Sequence, residues 1–278
     1  MATLPNPLPR LATDPSGRSL GLHLPPGRLV DATAEGPWPE PLLWHAEKPA
    51  APGTWKALGA PAARVGLLSV LVDAGGRDSV PQEGPGSWEL MPELASYPGD
   101  HDAEDVLADY WGYWEAEDAE AMGKVVEPFG AAWPGLAPAP TPTADPGTRA
   151  AQVADLVTGD GAGWFDAARL ALVPARRSAD IPAAIGWSGP LNHDNDVARL
   201  CAVLRSWEDR FGIRVVGLGF DTLLVSVAAP PATQEVAEAV AAEHFAFCPD
   251  NITQGRASGL RDYAKGLVGA HLWTFWWD

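Results

Sequence analysis

Residues 214–229, RVVGLGFDTLLVSVAA, decide how the chain is read. Two apolar runs, 215–220 and 223–228, flank a short break carrying Asp221. Their valines and leucines suit a pleated surface, so the stretch is predicted as a β-hairpin. Leu223, Val225 and Val227 fall on one face, and Leu224, Ser226 and Ala228 on the other. Both faces are apolar or small, which predicts a sheet covered on both sides. Gly217 and Gly219 lie inside the strand run without phosphate-loop spacing, and close approach or a bulge explains them better.

Working outward from the hairpin, residues 168–174 (ARLALVP) form a strand ended by its proline, followed by a connection of about 20 residues, long enough in a compact domain to point to function. Residues 196–211 are an amphipathic helix with Val197, Leu200, Cys201, Leu204, Trp207 and Phe211 on one face. Asp194 or Asn195 caps its start and Gly212 its end. Thr233 caps a second helix that reaches about Phe247, where Pro249 stops it, and 258–268 form a shorter third. The closing HLWTFWWD is a strand with Trp273, Phe275 and Trp277 on one face and Leu272, Thr274 and Trp276 on the other. The order is βαββαβ, so the expected class is α+β: a ferredoxin-like sheet with two helices on one face. The rings on the opposite face call for a cover, expected from a mixed α/β N-terminal region. In this topology the loop 174–195, the bend 219–222 and the segment 248–271 gather at one end.

The preceding half is read as four parts. Residues 1–20 are a flexible Pro-rich arm, and 21–133 an acidic, Trp-rich α+β region with strands at 65–74 and 88–94 and a helix over 101–124. Residues 134–147 are a Pro-rich linker, and 148–278 the C-terminal domain, opening with a helix at 148–157. The helix over 101–124 buries Val106, Tyr110, Trp111 and Trp114. Its acidic face, from Asp102 and Glu104 to Asp118 and Glu120, lacks calcium-loop spacing and reads as solvated.

Charge bounds the partners. Nineteen basic residues against 36 acidic give a net charge of -17, which opposes nucleic-acid backbones and anionic membranes. Before Asp166 stand 23 acidic and 9 basic residues, against 13 and 10 from there on, so the first half holds most of the excess. Two cysteines without CxxC spacing, no secretory core and no apolar run near the roughly 18 residues of a membrane span lead to a cytoplasmic expectation. The Ala, Gly and Pro content suits a GC-rich bacterial genome.

The pieces VPARRSAD, GWSGPLNHDND, VLRSWEDRFGIRVVGLGFDTLLVSVAAPP, AAEHFAFCPDNITQG and LWTFWWD occur in this order between residues 168 and 278. Together they resemble the bacterial family known as domain of unknown function 4253. The resemblance implies a domain and no reaction, cofactor or catalytic residue.

Candidate chemistry rests on the polar end. His193, Cys248 and Asp250 are the catalytic candidates, and Arg176, Arg177, Asp194, Asp221, Asn251 and Gln254 the ligand-binding ones, with the arginines as an anion fork. Each has a plainer reading: Asp194 caps, the arginines pair with local acids, and His244 and Cys248 lie in the core. A cysteine at a helix C-terminus gains no thiolate stabilisation. No cofactor and no metal site are expected. Two functions follow: an interaction protein, monomer or weak dimer, acting as acidic modulator or immunity-type inhibitor of a basic protein partner; or an enzyme or small-ligand domain with its pocket among those loops.

Overall fold

The structure, a computed structural model, describes residues 5–73, 88–117, 123–141, 144–159 and 163–278. It is a mixed α+β protein. The first half supplies helix α1 (Pro9–Thr13), strands β1 (Gly27–Val30), β2 (Ala32–Thr33), β3 (Gly36–Pro37) and β4 (Leu43–Ala46), helix α2 (Thr54–Ala63), strand β5 (Leu67–Asp73) and helix α3 (Ala103–Glu117). After it come α4 (Pro146–Val157), β6 (Ala168–Pro174), α5 (Ile181–Ile185), α6 (Val197–Phe211), β7 (Arg214–Leu218), β8 (Thr222–Ser226), α7 (Gln234–Phe247), α8 (Asp250–Thr253), α9 (Leu260–Lys265) and β9 (Leu272–Trp276).

The hairpin forms as its sequence dictates, with β7 and β8 antiparallel and a register shift between Val215 and Gly217. A Cβ on Gly217 would lie 2.7 Å from the Phe165 ring, so the glycine answers both to a bulge and to close approach. The sheet around it has the order β1-β4-β6-β5-β7-β8-β9. This is not the ferredoxin-like arrangement: β6 lies between β4 and β5, both from the first half, and β7, β8 and β9 form a meander. The reason is in β5 itself. LLSVLVD is an apolar run interrupted only by Ser69, the pattern of a central strand covered on both faces. It pairs along its whole length with β6 and in parallel with β7 at Leu71 and Val72.

The two sheet faces have different covers. Helices α6 and α7 lie over one, where Val70, Val173, Val225, Trp273 and Phe275 are buried with Trp207, Phe211, Phe245 and Phe247. The rings expected on the opposite face, Trp273, Phe275 and Trp277, lie under these helices instead, and the opposite face is covered by α2 of the first half together with α4. There α2 and α4 bring Leu58, Val153 and Val157 to Leu71, Leu170, Val216 and Leu224. The expected arm is also packed from residue 5 on. Leu8, Leu11, Leu20 and Leu22 are buried against Trp44, Leu67 and Leu172, because four leucines offer more apolar area than the prolines between them can keep in solvent. Residues 88–94 are no strand: Leu90 O accepts from Ala34 N and Met91 N donates to Gly186 O, outside any ladder.

Local signals set the C-terminal helices. Asp196 caps α6 by accepting from Ala198 N at 3.0 Å, and Gly212 ends it at φ +61°. Thr233 accepts from Val236 N to open α7. The Pro-rich stretch is strapped over these helices at Ala137, whose N–H donates to Glu243 at 2.6 Å and whose carbonyl accepts from Arg210 at 2.8 Å.

Candidate functional site

Strand direction decides where the polar loops go. Strand β6 is antiparallel to β5, and β5 is parallel to β7, so the loop after β6 starts where β7 begins, opposite the hairpin bend. Ser178 Oγ accepts from Val215 N at that end. The loop then crosses the helical layer: Trp187 Nε1 donates to Gly219 O at 2.9 Å, and Asn192 Nδ2 to Asp278 O at 2.8 Å. Helix α6 has 15 residues, so about 22 Å separates the two ends. Arg176 and Arg177 therefore stand apart from His193 and Asp250.

At the bend end the segments do meet. Trp277 N donates to Asp221 O at 3.1 Å, and Asp278 N to the Asp250 carboxylate at 3.1 Å. The His193 ring lies 4.5 Å from Tyr110. Burial lowers its pKa, against the raising charges of Asp194 and Asp250. Asp194 is committed: it accepts from Tyr110 Oη at 2.7 Å and from Asp196 N at 2.7 Å, with Arg199 Nε 3.5 Å away. Asp250 also accepts from Gln254, and Asp221 from Thr222.

Cys248 is fully buried, and burial drives its thiol well above the usual pKa. Its Sγ lies 3.0 Å from Trp276 O and 3.6 Å from Asn251 Oδ1. A thiol in that state is a core group, not a nucleophile. Asn251 donates to Thr274 O at 2.6 Å and accepts from Trp276 N at 3.3 Å. His244 is likewise fully buried, held by Tyr263 Oη at 3.1 Å and ringed by Trp207, Trp273 and Phe275.

One constellation carried no sequence signal. Ser96 Oγ lies 2.6 Å from His101 Nε2, which is 3.7 Å from Asp196 Oδ2. Both partners sit on the same ring nitrogen, whereas a relay needs the acid on the other, so this is a clamp and not a triad. Asp196 also accepts from Ser96 N at 3.0 Å, fixing the 94–101 segment on the start of α6.

That clamp presents an acidic surface. Helix α3 buries Val106, Leu107, Tyr110 and Trp111 against α6 and α7, and turns Asp102, Glu104, Asp105 and Asp109 outward. Beside them Leu94 is 45% exposed and Tyr97 43% exposed, with Glu93 and Asp100 also in solvent. Tyr97 is held over the Arg205 guanidinium at 5.3 Å, and Gly99 leaves room for its ring, since a Cβ there would approach within 2.4 Å. Arg205 is itself fixed on Asp180 by two hydrogen bonds. Two large apolar groups thus stand on a rigid footing amid carboxylates. Of the acidic residues named from sequence, Asp118 and Glu120 lie outside the described residues.

These features define the class: an α+β protein whose polar end is largely bonded to itself, His193 Nε2 being buried without a hydrogen-bond partner among the described residues, and whose helical layer shows an acidic, partly apolar face. The comparisons add the domain. Residues 169–278 match the family described as Domain of unknown function (DUF4253), the block its sequence resembles. No curated protein and no solved structure matches the chain. Among the described residues no helix is long and apolar enough to cross a membrane.

Proposed function

We propose that the protein is a binding protein that engages a basic protein partner through the surface around Tyr97, as a modulator or immunity-type inhibitor. One observation carries the reading: Leu94 and Tyr97 are exposed on the segment that leads into α3, where Glu93, Asp100, Asp102, Glu104 and Asp105 are exposed too and Asp109 pairs with Arg199. Exposed aromatic and aliphatic anchors with a charged rim are the composition of protein interfaces. Excess negative charge steers a cationic partner and makes association salt-dependent. The test is affinity capture from extract with the native chain, with Tyr97→Ala and with the Asp102→Lys, Glu104→Lys, Asp105→Lys triple variant. A basic protein retained at low salt by the native chain, and lost from both variants, supports the assignment. Equal capture by all three, or none by the native chain, refutes it.

A further inference from the structure

Beside helices α2 and α4, at the end of the sheet that Glu208 of α6 also reaches, lies a cleft of about 710 Å³. That lies within the range of small-molecule sites. Its floor holds Ser69 of β5, 8% exposed, whose hydroxyl oxygen has no hydrogen-bond partner. Gly59 of α2 lies above it, and a Cβ there would stand 3.8 Å from that oxygen, so Gly59 puts no side chain over the buried hydroxyl on that side. Buried polar groups are nearly always paired, and an unpaired one on a residue that lines a cavity points to a ligand atom.

The walls gather basic residues in a chain of net charge -17, although acidic ones stand among them. Lys56, Arg176, Arg177 and Arg214 line the cleft from three separate stretches of sequence. Three carboxylates line it too, and each serves a backbone N–H: Asp145 takes Thr148 N at 2.7 Å, Asp155 takes Gly53 N at 2.7 Å, and Glu208 takes Ala179 N at 2.9 Å. Glu208 also lies 3.5 Å from Arg177 and 3.7 Å from Arg214, and Arg177 donates as well to Asp209 and to Arg205 O, so both guanidinium groups are oriented and Arg177 is partly neutralised. The first turn of the 12-residue helix α4 enters the same space through Gly147 and Thr148, its N-terminus already capped by the Asp145 carboxylate. Trp55, Leu68 and Ala150 supply the apolar surface between.

We propose that this cleft binds a small organic anion. Its carboxylate or phosphate meets Arg177 and Arg214, its body lies against Trp55, and a polar atom at the far end bonds the Ser69 hydroxyl. Planar guanidinium forks suit either oxyanion. The site has no lining residue in common with the acidic surface, though both border helix α6.

Calorimetric titration of the full chain with 4-hydroxybenzoate, 4-hydroxyphenyl phosphate and neutral 4-hydroxybenzyl alcohol tests this. Saturable binding of at least one anion below roughly 10 mM, with the alcohol at least about tenfold weaker, is expected; which anion binds distinguishes carboxylate from phosphate. Arg214→Gln should weaken the anion about tenfold. Ser69→Ala should weaken it several-fold while raising the melting temperature of the unliganded chain, a pairing that a purely structural serine does not give. Gly59→Leu, with unchanged circular dichroism, should abolish binding. No saturable binding of either anion, equal binding of the alcohol, or anion binding unaffected by Arg214→Gln and Ser69→Ala overturns the proposal.

Discussion

The two faces of the central sheet are covered by opposite means. Under α6 and α7 the cover is aromatic and closed: Trp207 lies 5.4 Å from Phe275, 5.6 Å from Trp273 and 4.8 Å from Phe247. The charge admitted there is fully matched, since Glu243 accepts from Arg210, Trp207 and Ala137. Under α2 and α4 the cover is short-chained and open, and a serine hydroxyl is left without a partner. Polar groups inside a protein are costly unless paired. On the first face the buried Glu243 carboxylate is matched by three donors, although His244 Nε2 and Trp273 Nε1 have no partner among the described residues; on the second the unpaired group, the Ser69 hydroxyl, lines a cleft.

The contrast breaks most readily at Trp207. Trp207→Ala should cost about 3–5 kcal/mol, measured as a shift in urea midpoint, because it empties the centre of the ring cluster and strips Glu243 of a donor. A loss under about 1 kcal/mol would show that the face is loosely filled after all.

Next in size is a pH effect on the same face. Burial brings the His244 pKa down to about 3, against about 6.5 in an unfolded chain. The unfolded state therefore takes up a proton as pH falls below about 6.5, and the native state does so only near 3. Stability is full above pH 6.5 and is lost on acidification at up to about 1.4 kcal/mol per pH unit. His244→Phe should flatten that slope between pH 6.5 and pH 4 in denaturant titrations. An unchanged slope would mean that other groups account for the acid limb.

The smallest effect lies on the open face. Ser69→Ala in the unliganded chain should stabilise by up to about 1 kcal/mol, since the oxygen removed is unpaired. A loss of comparable size would show that the hydroxyl is engaged and would erase the difference between the two faces.

Much of the closed face is legible in the sequence. The hairpin, both long helices, the Gly217 bulge and the core placement of His244 and Cys248 follow from periodicity, caps and the two-residue alternation of the strands. The insertion of β5 between β6 and β7 is not. An apolar run such as LLSVLV announces that a strand is buried on both faces but not which strands flank it. Reading the C-terminal strands as a closed set pointed the loop after β6 the wrong way, and so gathered Arg176 and Arg177 with His193. The Ser96–His101 clamp and the cleft escape sequence reasoning for a related reason. Lys56, Ser69, Arg176 and Arg214 lie in distant stretches of chain, and no spacing rule connects them.

Strand β9 ends the sheet, and one side of its backbone is turned toward the outside. Asn251 lays its amide along that side, meeting Thr274 O and Trp276 N, and the Cys248 thiol takes Trp276 O. A single carboxamide thereby imitates the strand that would otherwise add on. The molecule can keep a tryptophan-rich border at its last strand without offering copies of itself a template for fibre growth.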